Sequence, residues 1–421
     1  MRFEALNERD ARQNDGMLEA MRPLALASLV LLACSSDEAG ALPDGGTAAV
    51  PTSTVPGVDA GRDATVPISP TDGSAPDASP SVPRTEVAFV GGTDGQIRTY
   101  SVDSSTGALA PLKVFASGGD PSFLAFDEAR RLVFAIDSAQ NRVRSFGIDP
   151  KTGTLTEKNA VATGGTGATH VSLVPSGKFL LVAHYTSGHV SVVPVAQDGT
   201  LSATTDVVLA GDKAHYVQMD AAQKTIYVPC LGANAVARYT LDGATGKLTA
   251  LSAVPLPAGA GPRHLAFAPT APFAFVVNEL QSSVTSFAYD SVTGGLTLVE
   301  TKSALPVGFT GPNTGAEIFA HPDGKYVYAS NRGQDTITRF VYDAAGKLTL
   351  DGQVPTFGRT PRSFTLAGAG KLAYVANQGS GTVYGYTFEA GTGSLKPIGT
   401  TALVSNLGSP EFVGTARFVD R

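Results

Sequence analysis

Residues 261–300, GPRHLAFAPTAPFAFVVNELQSSVTSFAYDSVTGGLTLVE, contain four short apolar segments separated by turn residues. The segments span residues 265–268, 273–277, 284–289 and 296–301, and Pro or Gly lies in the first and last connections. Runs of β-branched and aromatic residues with this length and these boundaries are typical of β-strands. The stretch therefore predicts four antiparallel strands, here called A, B, C and D in chain order.

The connection between strands C and D recurs along the chain as STGAL, KTGTL, QDGTL, ATGKL, VTGGL, AAGKL and GTGSL. Its glycines are Gly107, Gly153, Gly199, Gly246, Gly294, Gly346 and Gly393. Their spacing of 46 to 52 residues is in the range of β-propeller repeats, in which four-stranded sheets are arranged radially as blades. Glycine suits such a turn because it adopts positive φ angles that other residues resist.

The two ends of the repeat are incomplete in complementary ways. Residues 86–116 hold strands B, C and D without a preceding strand A, whereas SPEFVGTARF (residues 409–418) looks like an isolated strand A. We predict an all-β, seven-bladed β-propeller of four-stranded antiparallel sheets over residues 85–421, with the first blade closed by the C-terminal strand. Such closure removes an open sheet edge. A linear solenoid is the alternative, but a solenoid does not need a split unit.

The N-terminal residues differ from the repeats. From Met21 the sequence reads MRPLALASLVLLACSS, with an apolar run that is too short for a membrane span and fits a signal peptide. Its LLAC end resembles the lipobox of bacterial lipoproteins, in which the cysteine is lipidated. We predict a leader over residues 1–34, lipidation at Cys34 and a disordered tether over residues 35–84. The protein would then be lipid-anchored in the cell envelope; a cytosolic protein with a chance apolar run is the alternative.

Composition narrows the range of partners. A net charge of −6 and the absence of a Lys/Arg cluster argue against nucleic acid as a partner. The chain has two cysteines, and with Cys34 lipidated Cys230 has no partner, so we expect Cys230 to be a small core residue. The absence of Trp argues against a WD40 scaffold. We expect a monomer whose only membrane contact is the N-terminal lipid.

Polar residues mark one end of strands A and B. Because these strands are antiparallel neighbours and strand A is the innermost of a blade, the start of A and the end of B should share one rim of the central channel. An offset of sixteen residues relates Arg263 to Glu279 and recurs in other units. The strand-A positions are Ser122, Thr169, His215, Arg263, Ala316 and Arg362. Their strand-B partners are Ser138, Tyr185, Leu231, Glu279, Arg332 and Gln378.

Ionisable groups at or next to these positions concentrate in the fourth to seventh blades. They are His215, Arg263, His264, Glu279, Glu317, Arg332 and Arg362, and His170 lies in the third blade. Three arginines facing two carboxylates predict an anion-binding and acid–base site. The competing interpretation is that the charges pair with one another and only fill the channel. We expect His321, in the turn sequence HPDGK, to be exposed to solvent.

The repeats resemble the seven-bladed propeller lactonases, the family of bacterial 6-phosphogluconolactonase and of fungal muconate-lactonizing enzyme. The resemblance covers roughly residues 86–418 and rests on GAGPRHLAFAP, FVVNELQSSVTSF, GFTGPNTGAEI, PDGKYVYASNRGQDTI and RTPRSFTL followed by YVANQGSGTV. It implies a catalytic group of His215, Arg263, Glu279 and Arg332. Neighbouring positions depart from the family pattern: Lys213-Ala214 replaces His-Pro, Gln334 replaces a frequent His, and Gly379 replaces a common Asp.

The resemblance implies a lactone-ring hydrolase that needs no metal or other cofactor and acts on a small lactone or sugar-derived substrate. Glu279 or His215 would activate water, and Arg263 and Arg332 would stabilise the oxyanion or bind an anionic group. We assign substrate contacts to His170, His264, Asn278, Glu317, Arg362 and Gln378. Because 6-phosphogluconolactone is cytosolic and a lipoprotein faces away from the cytosol, we expect another lactone as the substrate.

Two other functions fit the sequence. The first is a non-catalytic, surface-anchored propeller that binds a carbohydrate or protein partner, since a long tether suits display at a surface. The second is a calcium-dependent lactonase, which needs several Asp, Asn and Glu oxygens converging on the channel. Asn278 and Glu279 form the single adjacent pair of this kind at a rim position, so the second function has less support.

Overall fold

The structure, a computed structural model, describes residues 84–399 and 405–420. These residues form seven four-stranded antiparallel sheets, which confirms the predicted seven-bladed β-propeller. The predicted leader, tether and lipidation site at Cys34 lie outside the described residues. Within the described part of the chain, no helix combines the length and apolar character needed to cross a membrane.

Blades 1 to 4 contain the first fifteen strands and the last one. Blade 1 consists of β28 (Pro410–Val419), β1 (Arg84–Gly92), β2 (Gln96–Val102) and β3 (Leu109–Ala116). Blade 2 consists of β4 (Leu124–Asp127), β5 (Leu132–Asp137), β6 (Arg142–Asp149) and β7 (Thr154–Ala162). Blade 3 consists of β8 (Ala168–Leu173), β9 (Phe179–His184), β10 (His189–Pro194) and β11 (Asp206–Leu209). Blade 4 consists of β12 (Gln218–Met219), β13 (Ile226–Cys230), β14 (Ala235–Leu241) and β15 (Leu248–Pro255).

Blades 5 to 7 follow the same order of strands A, B, C and D. Blade 5 consists of β16 (Pro262–Phe267), β17 (Phe273–Asn278), β18 (Ser283–Asp290) and β19 (Gly295–Ser303). Blade 6 consists of β20 (Thr314–Ala320), β21 (Tyr326–Arg332), β22 (Thr336–Tyr342) and β23 (Leu348–Pro355). Blade 7 consists of β24 (Pro361–Ala367), β25 (Leu372–Asn377), β26 (Thr382–Glu389) and β27 (Ser394–Pro397). Short 3₁₀ turns lie at Gly368–Gly370 and Gln378–Ser380.

The C-terminal strand closes the ring. Strand β28 pairs antiparallel with β1 from Arg84 opposite Val419 to Gly92 opposite Pro410, as the split repeat predicts. It also packs beside β24 of blade 7. Phe418 of β28 is fully buried, and its ring centroid lies 6.1 Å from that of Phe89 on β1. Residues more than 300 positions apart in the chain thus share one sheet.

The core lies between adjacent blades. Strand B is the most deeply buried element, and every residue of β17 in blade 5 is buried, whereas outer strands such as β15 are largely exposed. Cys230 is fully buried in the cluster between blades 3 and 4, and burial raises the pKa of its thiol to about 12. This burial confirms the prediction that Cys230 is a small core residue.

The expectation that His321 is exposed is wrong. Its side chain is buried because its ring stacks on Phe388 of blade 7, with ring centroids 3.7 Å apart. Its Nε2 donates a hydrogen bond to the carbonyl oxygen of Gly370, at 2.9 Å. The turn that carries His321 therefore packs against the next blade, a contact that the local sequence HPDGK does not reveal.

Six of the seven glycine turns accept a hydrogen bond from the preceding blade. In blade 5, the carbonyl oxygen of Gly294 accepts a hydrogen bond from the hydroxyl of Tyr227 in blade 4, at 2.9 Å. In blade 7, Gly393 accepts one from Tyr328 in blade 6, at 2.5 Å. The glycines Gly107, Gly153, Gly199 and Gly246 accept equivalent bonds from Tyr374, Thr99, Ser145 and Thr205. All seven predicted turn glycines have positive φ, between 66° and 89°, which confirms their predicted backbone role.

We expect Gly294→Ala to lower the free energy of unfolding by about 2 kcal/mol. The backbone there has a φ of 66°, and an added Cβ would lie 2.0 Å from Oγ1 of Thr225. Gly243→Ala is the matched control, because no atom lies within 4 Å of its Cβ position. Urea unfolding of both variants and the wild type measures the effect; equal losses in both variants would contradict the role assigned to the turn.

Candidate active site

A β-bulge at the start of strand A sets the direction of the rim residues. In blade 5, Pro262 lies opposite Asn278 and His264 lies opposite Val277, so Arg263 is an extra residue in its strand. A bulge of this kind bends the strand and re-aims a side chain. The same register shift occurs in three other blades, where the extra residue is Thr169 in blade 3, Arg362 in blade 7 and Glu411 in blade 1.

Glu279 joins two arginines. Its Oε2 lies 3.1 Å from Nε of Arg263 and 3.0 Å from Nη2 of Arg332. Arg263 also donates to the carbonyl oxygen of Ala316 at 2.6 Å, and Arg332 donates to that of Gly315 at 3.1 Å. The other carboxylate oxygen, Oε1, accepts no hydrogen bond from any residue of the described chain. One carboxylate thus fixes two guanidiniums and keeps one oxygen available.

Arg263 lies behind Glu279 and is only 2% exposed. The pKa of its guanidinium is lowered to about 9, chiefly by burial and also by the positive charges of Arg332 and Arg362, while Glu279 and Glu317 oppose the shift. An arginine with its pKa lowered in this way still keeps its proton at neutral pH. Arg263 therefore supplies a buried positive charge that positions Glu279, and it does not line the cavity itself.

A second ion pair lies on the closing strand. Nε of Arg362 is 3.6 Å from Oε1 of Glu411, and Nε2 of Gln378 donates to the same oxygen at 2.8 Å. Glu411 was not among the predicted site residues, because the predicted rim positions came from strand A of six units and did not include the isolated C-terminal strand. Pro410 followed by Glu411 matches the Pro-Arg pairs that begin strand A in blades 5 and 7, and this match was the available signal.

These groups surround a cavity of about 290 Å³ at the rim of the channel. The ionisable residues on its wall are His215, Glu279, Arg332, Arg362 and Glu411. The hydroxyl-bearing residues on its wall, all from blades 2 and 3, are Ser122, Ser138, Thr169, Tyr185 and Thr186. One side of the cavity therefore carries charge and the other carries neutral hydroxyl groups.

His215 is the single imidazole on the cavity wall among the described residues. Its ring lies edge-on to Tyr185 with centroids 5.6 Å apart, and its Nδ1 is buried without a hydrogen-bond partner in the described chain. Burial lowers its pKa well below 6.5, and the nearby Arg263 and Arg362 lower it further. The imidazole is therefore neutral at neutral pH and does not add charge to the cavity.

A second layer of side chains follows the rim, each one residue further along strand A. Its members are Phe123, His170, Tyr216, His264, Glu317, Ser363 and Phe412. The aromatic members contact one another in sequence: the ring centroids of Phe123 and His170 are 4.1 Å apart, and those of Tyr216 and His264 are 4.8 Å apart. His264 also contacts the rim through His215, at 5.2 Å. The layer is a packed support for the rim residues.

His264 and Glu317 form a buried pair in this layer, with Nδ1 of His264 2.6 Å from Oε1 of Glu317. Burial raises the pKa of Glu317 to about 8, against the opposing effect of Arg263. Burial and three arginines lower the pKa of His264 well below 6.5. Both shifts favour a neutral pair at pH 7, in which the protonated carboxyl of Glu317 donates to Nδ1 of His264.

The structure separates the predicted site residues into three groups. His215, Glu279, Arg332 and Arg362 line the cavity, while Arg263 and Gln378 bind the two wall carboxylates from behind. His170, His264 and Glu317 belong to the second layer.

Asn278 lies apart from the other predicted site residues. Its amide nitrogen donates to Ser283 and Thr285 within its own blade, at 3.0 and 2.8 Å, so the Asn278–Glu279 pair does not present two ligands to the cavity. In the described part of the chain, no three His, Cys, Asp or Glu side chains are placed to share a metal ion.

The sequence matches a known protein family and several of its members. The family model described as lactonase, 7-bladed beta-propeller, matches residues 86–412. A 6-phosphogluconolactonase of Bacillus subtilis is 30% identical over 327 residues, which cover 75% of this chain and 93% of the relative. A 6-phosphogluconolactonase of Pectobacterium carotovorum is 35% identical over 238 residues, which cover 56% of this chain and 71% of the relative.

Solved structures show the same architecture. The periplasmic gluconolactonase of Pseudomonas aeruginosa superposes with a TM-score of 0.72 at 27% identity, covering 79% of this chain and 99% of that protein. A protein from Lactobacillus plantarum superposes with a TM-score of 0.73 at 27% identity, with the same coverage of 79% and 99%. The matched regions include the whole rim from Ser122 to Glu411 in the family model.

The buried Glu317 predicts a pH-dependent stability. Its folded pKa of about 8 lies above the ordinary value of 4.5, so its contribution is fully present below pH 4.5 and is lost as the pH rises through 8. We expect the difference in unfolding free energy between the wild type and Glu317→Gln to fall from pH 6.5 to 8, by up to about 1.4 kcal/mol per pH unit. Urea unfolding at several pH values measures it; parallel pH profiles would show that Glu317 ionises normally.

Proposed function

This chain belongs to the seven-bladed β-propeller lactonase family, and we propose that it hydrolyses a lactone in the cavity at the rim of its channel. The observation that carries the proposal is the carboxylate of Glu279 on the cavity wall, in which one oxygen pairs with two guanidiniums and the other accepts no hydrogen bond from the described residues. The named activities of the relatives, 6-phosphogluconolactonase and gluconolactonase, both open a sugar lactone with water.

Glu279 is the group best suited to accept a proton from the attacking water. Its Oε1 accepts no hydrogen bond from the described residues, whereas an imidazolium at His215 would form among three arginines that disfavour its positive charge. Water adds to the lactone carbonyl as Glu279 takes its proton. The ring C–O bond then breaks, and the same proton passes to the ring oxygen, which leaves as the hydroxyl of the hydroxy-acid product.

The arginines stabilise the charge that develops on the carbonyl oxygen. Arg332 lines the cavity next to Glu279 and presents N–H groups to an oxyanion. Arg263 is a positioning residue, because its buried guanidinium holds Glu279 and makes the local potential positive. His215, neutral on the cavity wall, serves as a hydrogen-bond partner for the substrate or for water.

We expect Glu279→Gln to lower kcat/KM for glucono-1,5-lactone by at least about 100-fold, because an amide cannot accept the proton. Proton release in a pH-stat, corrected for spontaneous hydrolysis, measures the rate, and we expect the wild-type rate to be unchanged by a chelator. Glu389→Gln is the matched control, since Glu389 pairs with Lys396 on an outer strand far from the rim. Full activity in Glu279→Gln would contradict this mechanism.

A panel of other lactones belongs to the same experiment. Hydrolysis of any of them with loss in Glu279→Gln supports the proposed function. Absence of turnover on every lactone, together with saturable binding of a carbohydrate, would instead favour the non-catalytic surface propeller. Loss of the wild-type activity in chelator, with recovery in calcium, would favour the calcium-dependent mechanism.

We further propose that the protein acts outside the cytoplasm, anchored through a lipid on Cys34. The lipobox-like sequence LLAC supports this location, and the Pseudomonas aeruginosa relative is itself described as periplasmic. We expect the wild type to sediment with membranes and Cys34→Ala to move into the soluble fraction, as measured by fractionation of cells expressing each form. Cys230→Ala is the control for loss of a thiol, and equal partition of wild type and Cys34→Ala would contradict the anchor.

A further inference from the structure

The charges on the cavity wall are already paired. Arg332 binds Glu279 at 3.0 Å, and Arg362 lies 3.6 Å from Glu411. Two guanidiniums are therefore matched by two carboxylates, and neutral His215 adds no charge. A phosphate group that entered this cavity would have to displace a carboxylate from an arginine or lie beside it, and like charges in contact oppose binding.

Glu411 is held firmly on the wall. It is the extra residue of the bulge in β28, and the pairing of β28 with β1 fixes the backbone on both sides of it. Its Oε1 accepts a hydrogen bond from Gln378 at 2.8 Å, and Arg362 approaches the same oxygen. The carboxylate cannot leave the cavity without losing both partners, so it is a fixed feature of the cavity wall.

The opposite wall suits neutral hydroxyl groups. Ser122, Ser138, Thr169 and Tyr185 line it, and each hydroxyl can both donate and accept a hydrogen bond. Ser122 is 7% exposed, and its Oγ is buried without a hydrogen-bond partner among the described residues. A buried hydroxyl without a partner is costly unless a ligand or water satisfies it. Sugar hydroxyls are ligands that match this wall.

We propose that Glu411 makes the cavity selective for an uncharged sugar lactone over a phosphorylated one. This inference rests on the proposed lactonase function and names its substrate class. Glu411 acts in two ways: it cancels the positive charge of Arg362, which would otherwise attract a phosphate, and it repels a phosphate directly. It is a specificity residue and takes no part in bond cleavage.

The test compares two substrates in two proteins. We expect the wild type to hydrolyse glucono-1,5-lactone with a kcat/KM at least about tenfold higher than that for 6-phosphoglucono-1,5-lactone. Glu411→Gln keeps an acceptor for Gln378 and removes the charge, so we expect it to shift this ratio about tenfold toward the phosphorylated substrate, mainly through KM. The outer-strand variant Glu389→Gln is the control and should leave the ratio unchanged.

A wild type that prefers the phosphorylated lactone, or a Glu411→Gln variant with an unchanged ratio, would overturn the inference. If neither of these two lactones is hydrolysed, calorimetric binding of gluconate and 6-phosphogluconate decides the inference by itself, and the wider lactone panel decides the proposed function. We expect Glu411→Gln to bind 6-phosphogluconate about tenfold more tightly than the wild type does, with gluconate binding unchanged. Equal 6-phosphogluconate affinities would overturn it, and thermal unfolding confirms that the variant is folded.

Discussion

The pairing of β28 with β1 is the contact on which the other features of the ring depend. Without it, the inner edge of β1 would be unpaired and the apolar surface around Phe89 and Phe418 would be open. The entropic cost of bringing distant chain ends together grows only with the logarithm of their separation along the chain. The interactions of a full strand pair therefore offset this cost. The closed ring then fixes the position of every innermost strand around one channel.

In the closed ring, the glycine turns that bond to the preceding blade and the candidate site lie at opposite ends of the blades. The turns between strands C and D, where Gly294 and Gly393 accept bonds from the preceding blade, lie at one end. Strand A begins at the other end, because adjacent strands alternate in direction. Bulges at Arg263 and Glu411 there re-aim side chains toward the shared cavity. Because the glycine turns contact the neighbouring blade at the end with the C–D turns, the end where strand A begins can carry polar groups.

The sequence predicts the features that follow from periodicity. Glycine spacing gives the blade count, and antiparallel pairing gives the contact between Arg263 and Glu279. The alternation of side chains along a strand also explains why Asn278 lies apart from Glu279, and this separation was predictable from the sequence. Bulges and cross-blade contacts such as the stack of His321 on Phe388 could not be predicted, because they depend on register and on residues distant in the chain.

The distribution of charge suits a reaction in which negative charge appears only on the way to the product. With Glu317 protonated, three arginines face two carboxylates, and the surplus positive charge belongs to buried Arg263. An uncharged lactone does not need this surplus to bind, whereas the oxyanion formed when water adds to its carbonyl is stabilised by it. Interactions that strengthen only in the transition state raise kcat and not merely affinity. A phosphate would be attracted by the same positive potential before the reaction, and under the specificity proposed for Glu411 its carboxylate opposes that attraction.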